Sequence, residues 1–157
     1  MMTEAPTGTR MMRSPFGDVG VVEQDGSIIK LVWSGEDGGE TSEVADEAIR
    51  QLQAYFDHEL TSFDLPLAPN GTPFQQQVYA EMQAIPLGET KTYGAIADKL
   101  DVPPQPVGQA CGSNPIPIII PCHRVVGMDG LGGFSAPGGI ETKIKLLRFE
   151  GAYSLLL

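Results

Sequence analysis

The chain has 157 residues, 41% of them hydrophobic, enough to bury a core as one domain or two small ones. Its net charge of -10 argues against a strongly cationic nucleic-acid binder, and its longest apolar runs are far too short for a transmembrane helix. The only two cysteines, Cys111 and Cys122, accompany an N-terminus without an apolar signal region and are expected to be reduced thiols of a cytoplasmic protein.

Residues 1–13 are polar, Met-rich and aperiodic, and read as a flexible tail. Asp18–Glu23 and Ser27–Trp33 are apolar runs flanking Asp25-Gly26, the short-range signal of a β-hairpin. A glycine-rich acidic loop leads into a helix expected over 41–60. Val44, Ala48, Leu52 and Phe56 recur at steps of four and Ile49 broadens the face, while Glu43, Asp46 and Glu47 favour its N-terminal dipole end. No motif of this half carries chemistry. Residues 1–71 hold 4 basic and 13 acidic side chains and read as an α/β scaffold domain ending in the proline/glycine linker Leu65–Gly71.

The second domain, 72–157, has 6 basic and 7 acidic side chains and is close to neutral. Thr72-Pro73-Phe74-Gln75 opens a helix with an N-cap, a first-turn proline and a capping box, and Phe74, Val78 and Met82 form its inward stripe. Ile85-Pro-Leu-Gly88 stops it. Thr92 caps a short helix, Tyr93–Leu100, with Ile96, Ala97 and Leu100 inward. Val102–Pro106 is a break, and a further helix runs from Val107 to about Ser113. Two short helices around a tight turn suggest a helix-turn-helix. The later helix is almost entirely small residues, including Gly108 and Gly112. These suit either close helix packing or a smooth surface lying in a DNA groove, and two internal glycines cost roughly 1 kcal/mol each.

Ile116–Ile120 reads as a short buried strand that delivers Pro121-Cys122-His123-Arg124 at its end. A thiol is nucleophilic as the thiolate, and an adjacent imidazole and a fixed cation, Arg124, lower its pKa. Free cysteine is often a small core hydrophobe, but a proline-ended strand running into a charged pair is a poor place for one. Residues 127–139 form a glycine-rich loop lacking the Gly-Lys-Ser/Thr of a phosphate loop. The last helix, from about Glu141 to Glu150, is expected to turn Ile140, Ile144, Leu147 and Leu146 inward and to stop at Gly151. Glu150 is either a solvated helix residue or the group that orients His123. Cys111, Cys122, His58 and His123 have no ligand-like spacing, so no metal is expected.

Ile120-Pro-Cys-His-Arg-Val125 follows Asn114-Pro115. Upstream lies Ile85-Pro-x-Gly-Glu-Thr-x-Thr-Tyr93, and downstream Gly138-Gly-x-x-x-Lys143-x-x-Leu-Leu147-x-x-Glu150-Gly151. From about Phe74 to Ala152 this pattern resembles the O6-alkylguanine-DNA alkyltransferases. The resemblance implies a mixed α/β (α+β) chain, with a small hairpin-plus-helix N-terminal domain and a mostly helical C-terminal domain carrying the helix-turn-helix and a cysteine loop. It implies direct-reversal DNA repair by one irreversible transfer of the alkyl group from guanine O6 to Cys122, without cofactor. His123 would act as the base through a water, oriented by Glu150. Asn114 would support the site through the backbone, and Tyr93 would help rotate the nucleotide out and protonate the departing base. Val125 and Ser135 would lie where backbone groups recognise the flipped guanine, with Gly108, Gln105 and Arg124 also on the substrate side; Cys111 is read as structural. The expected partner is double-stranded DNA bearing O6-alkylguanine, entered from the minor groove by a monomer with the base flipped out.

Two departures accompany the resemblance. The family's recognition-helix arginine falls on Gln105, which could fill the space left by the base without charge and predicts weaker DNA binding or a different flipping residue. Ala136-Pro137 reads as an insertion that reshapes the pocket. A lesion sensor without efficient transfer is the alternative, disfavoured by the presence of Cys122. A cysteine hydrolase is disfavoured by the adjacency of Cys and His. A major-groove regulator is disfavoured by the small-residue helix.

Overall fold

A computed structural model describes residues 6–128, 130–134 and 136–152. They form two compact units, Met1–Asn70 and Gly71–Leu157.

The first unit is an antiparallel sheet under one helix. Strands β1 (Thr7–Ser14), β2 (Gly17–Gln24), β3 (Ser27–Val32) and the two-residue β4 (Gly38–Gly39) lie in the order β3-β2-β1-β4. Asp25 and Gly26 turn the β2–β3 hairpin with φ of 53° and 77°, the left-handed pair that matches strand twist. The expectation of a flexible tail is corrected for residues 7–13. They pair with β2 from Thr7↔Gln24 to Ser14↔Gly17, and the Met11 amide donates to Asp37 Oδ1 at 2.6 Å. The sequence of β1 lacks the apolar alternation of a strand because the sheet, not a buried face of its own, supplies its partners.

Helix α1 (Glu43–Phe56) starts at Ser42, whose hydroxyl accepts from the Val44 amide. Buried Glu23 reaches from β2 to the same end and accepts from the Ser42 amide (2.9 Å), the Ser42 hydroxyl (2.6 Å) and the Ala45 amide (3.0 Å). A carboxylate there satisfies orphan N–H groups and complements the helix dipole. The buried face is Ala45, Ala48, Gln51, Leu52, Tyr55 and Phe56; Val44 and Ile49 are only half-buried. It packs on the sheet, whose buried side chains include Val19, Val21, Ile28 and Leu31; Val19 and Val21 alternate, and the register shift at Val22/Glu23 spaces Ile28 and Leu31 by three.

The second unit is helical around a two-residue parallel pairing. Helix α2 (Pro73–Gln83) has the full Thr72/Gln75 capping box and buries Val78, Tyr79 and Met82, leaving Phe74 half-buried. Strand β5 (Lys91–Thr92) runs into α3 (Tyr93–Leu100), capped by Thr92. Asp101, in the left-handed region at φ 57°, turns the chain into α4 (Pro104–Gly112). This helix begins three residues earlier than its composition suggests. Prolines at 104 and 106 fall in the first turn, where amide hydrogens have no helical acceptor to lose. Gln105 is therefore helical rather than part of the break.

The expected strand at Ile116–Ile120 is absent. Prolines at 115, 117 and 121 carry no N–H for a ladder. The segment instead folds on itself, with the Ile120 amide donating to Ile116 O at 2.9 Å and the Cys122 amide to Ile120 O at 2.8 Å. Ile118 sits at φ 71°, a rare conformation for a β-branched residue, and its side chain is fully buried with those of Ile116 and Ile120. A single 3₁₀ turn, Cys122–Arg124, follows, then β6 (Val125–Val126), parallel to β5 through Lys91↔Val125 and Thr92↔Val126.

Helix α5 (Ile140–Phe149) ends before Gly151, which takes φ 82° as expected of a C-terminal stop. Its buried side chains are Lys143, Leu146 and Leu147; Ile140 is 46% exposed and Ile144 half-buried, against expectation. Among the described residues no helix is long and apolar enough to cross a membrane.

Candidate active site

The folded 114–121 segment carries Cys122 into the interior and is held there by Asn114. The Asn114 carboxamide donates to Ile120 O at 2.7 Å and accepts from the Ile116 amide at 3.0 Å, so one buried side chain spans the turn. Burial pushes the Cys122 thiol up from its ordinary value. A hydrogen bond from Asn114, the charge of Lys143 and the backbone amides of Cys122 and His123 oppose that rise. The resting sulfur is therefore a protonated thiol that needs a base to react.

The adjacent imidazole is fully buried. His123 Nε2 lies 2.7 Å from Glu150 Oε2, and a carboxylate on that nitrogen requires it to carry the proton. Nδ1 is then the basic nitrogen, and it is buried without a hydrogen-bond partner. Burial keeps the ring neutral at rest by lowering its pKa, outweighing the attraction of Glu150. Glu150 is itself buried. Burial opposes its ionisation, but the bonds from His123 and Arg124 outweigh this and hold its carboxyl at about 2. Arg124 donates from Nε to Glu150 Oε1 at 2.8 Å, from Nη2 to Oε2 at 3.0 Å and from Nη1 to Ile85 O at 2.7 Å. Glu150 is thus a buried partner of His123 and not a solvated helix residue. Arg124, by contrast, is corrected from a substrate-side residue: its guanidinium is buried and committed to Glu150 and Ile85.

A cavity of about 400 Å³ opens onto this thiol, lined by Tyr93, Gly108, Cys111, Gly112, Cys122 and the 132–134 segment. Gly132 is at φ 72°, and a β-carbon there would lie 2.7 Å from the Tyr93 hydroxyl, so a glycine is what allows loop and ring to meet. Tyr93 is pushed up to about 12, first by burial and then by the two thiols, and stays a hydroxyl donor through the neutral range. Val125 does not line the cavity; its carbonyl accepts from Lys143. Gln105 is exposed on α4 and does not line it either. Ser135 lies outside the described residues.

Lys143 was absent from the candidates. Its side chain is fully buried, and Nζ donates to Val125 O at 2.7 Å, Gly133 O at 3.1 Å and the Tyr93 hydroxyl at 3.5 Å. The signal was present: 143, 146, 147 and 150 are i, i+3, i+4 and i+7 of one helical face. Burial lowers its pKa to about 8, against the pull of the two thiols. The fold thus favours the neutral amine relative to the unfolded chain, whose lysine titrates near 10.5. Below pH 8 the burial penalty is fully present, and it is relieved as pH rises towards 10.5. The expected result is that the stability of wild type minus that of Lys143→Met grows with pH across this window; urea titrations of both proteins at several pH values measure it, and a flat difference would refute the assignment.

Two domain models match the chain: the 6-O-methylguanine DNA methyltransferase ribonuclease-like domain over residues 9–69 and the DNA-binding domain of the same family over 73–152. A Methanosarcina acetivorans protein named methylated-DNA–protein-cysteine methyltransferase is 49% identical over 116 residues, 72% of this chain and 73% of that one. One of the same name from Metallosphaera sedula is 39% identical over 150 residues, 92% of each chain. The crystal structure of Mycobacterium tuberculosis OGT in complex with DNA superposes with a TM-score of 0.79 at 39% identity, covering 92% of this chain and 93% of that one.

Proposed function

This chain belongs to the 6-O-methylguanine DNA methyltransferase family, and we propose that it performs the family's DNA repair with Cys122 as the acceptor. Its function is DNA repair by alkyl transfer to cysteine. The observation that carries the residue assignment is a single cavity holding Cys122 and Tyr93, backed by a neutral imidazole whose free nitrogen is buried and whose other nitrogen is fixed by Glu150.

In this reading the flipped guanine enters the cavity with O6 towards Cys122. His123 Nδ1 takes the thiol proton through a water, which the partnerless buried nitrogen can hold. The sulfur attacks the alkyl carbon, the S–C bond forms and the C–O6 bond breaks. The electron pair goes to the base, which Tyr93 protonates. Lys143 donates to the Tyr93 oxygen, leaving the phenolic hydrogen to face the cavity. The thioether does not turn over, so one protein molecule accepts one alkyl group. With a duplex containing O6-methylguanine in excess, repair is expected to stop at one lesion per protein; continued turnover would contradict the mechanism.

DNA meets the outer strip of α4, where Gln105, Gly108, Gln109 and Gly112 recur at i, i+3, i+4 and i+7. The strip is smooth, uncharged and suited to the minor groove, with the protein acting as a monomer. Of the six cationic residues in this unit, Arg124 and Lys143 are buried, leaving at most four for phosphates; Lys99 pairs with Glu81 at 3.1 Å, and Arg148 also has a partner within the protein. The expected slope of log affinity against log salt is no steeper than about -3.6, at roughly 0.9 per phosphate. Binding titrations across salt concentrations measure it, and a much steeper slope would place the DNA on another surface.

A further inference from the structure

We propose that Cys111 and Cys122 form a reversible redox pair, in which an oxidant of the peroxide class closes a disulfide between them across the active-site cavity and a dithiol reductant reopens it.

The chain has two cysteines, they come from different elements, and both line the same cavity. Each is 6% exposed, so the cavity is their shared route to small solutes. Asn114 ties the two segments together: its backbone amide donates to Cys111 O at 3.3 Å, and its side-chain amide donates to Ile120 O at 2.7 Å, two residues before Cys122. The Cys111 thiol has one weak engagement, Met82 Sδ at 3.6 Å, and is followed by Gly112, where even an added β-carbon would meet nothing within 4 Å. The Met82 contact is weak enough for the Cys111 thiol to exchange it for Cys122.

The chemistry assigns an order. Cys122 has a base beside it, whereas burial pushes Cys111 up to about 12, so Cys122 reacts first. Its thiolate attacks a peroxide oxygen, the O–O bond breaks, and water leaves a sulfenic acid. Cys111 then attacks that sulfur, the S–S bond forms, the S–O bond breaks, and a second water leaves. Two thiols are oxidised and one hydrogen peroxide is reduced to two waters. The neighbouring thiol thereby competes with over-oxidation to sulfinic and sulfonic acids, which dithiols do not reverse. For a protein that uses its acceptor once, this preserves the unreacted thiol. The inference rests on two thiols sharing a cavity, and alkyl transfer by the reduced protein is assayed separately, so either reading can fail alone.

The test treats the full chain with hydrogen peroxide and follows intact mass, a non-reducing digest and methyl acceptance. The expected result is a monomer lighter by two hydrogens, a crosslinked peptide joining Cys111 to Cys122, and methyl acceptance lost and then restored by dithiothreitol. Cys111→Ala, and Cys111→Ser should alanine fail to fold, are expected to gain two or three oxygens on Cys122, as sulfinic or sulfonic acid, and not to recover with dithiothreitol. Oxygen gain on wild-type Cys122 with no crosslinked peptide would overturn the proposal. So would disulfide-linked dimers in its place, or recovery of the Cys111 variants as complete as that of wild type.

Discussion

Glu150→Ala is expected to lower the unfolding free energy of the C-terminal unit by about 3–5 kcal/mol, the range for breaking one side of a buried ion pair. The carboxylate accepts from His123 and doubly from Arg124 in the interior. Without it, the Arg124 guanidinium keeps only the Ile85 carbonyl, and a buried cation is left uncompensated. Glu150→Gln keeps the volume and loses the charge, and falls between. Trp33, the one tryptophan, lies in the N-terminal unit, so its fluorescence serves as an internal control while circular dichroism of the helices reports the loss. The pH dependence has a definite sign. A carboxyl held at about 2 against an ordinary 4.5 contributes stability that is complete above about pH 4.5 and disappears as pH falls towards 2. The gap between wild type and Glu150→Gln is therefore expected to close over that interval. A loss under 1 kcal/mol at neutral pH would show that the network does not hold the site together.

His123→Ala is expected to slow methyl transfer by about 10²–10⁴-fold while leaving Cys122 in place, the contribution of a positioned general base. Burial raises the Cys122 thiol above its ordinary value near 9, so little thiolate forms at neutral pH unless a base withdraws the proton. The variant's rate is accordingly expected to climb with pH well past 9, where hydroxide replaces the imidazole, while the wild-type rate flattens earlier. Single-turnover rates over a pH series separate the two curves. A variant within a few-fold of wild type at pH 7 would remove His123 from the proton path.

The candidates Cys122, His123, Asn114 and Tyr93 stand in a dense motif whose residue types each have a chemical use, and the fold brings Cys122 and Tyr93 to one cavity. The hairpin at Asp25-Gly26 and the cap at Thr72 were legible because their signals are local. What escaped depended on tertiary partners. Strand β1 has no period of its own and exists because β2 offers it a ladder. The Ile116–Ile120 run has strand composition, but three prolines deny it a ladder and Ile118 takes the left-handed region. Lys143 was not among the candidates and Arg124 was placed on the substrate side, because only the fold brings three acceptors to one and a carboxylate to the other. Of the residues expected on the substrate side, Gly108 lines the cavity, whereas Gln105 and Val125 do not.

The most direct test mixes the protein with a duplex carrying one O6-methylguanine and follows intact mass and peptide maps, with Cys122→Ala in parallel. The expected result is one methyl group on the peptide containing Cys122, restored guanine in the duplex, and no modification of Cys122→Ala. A methyl group on Cys111 or elsewhere, or a repaired duplex with unmodified protein, would contradict Cys122 as the acceptor.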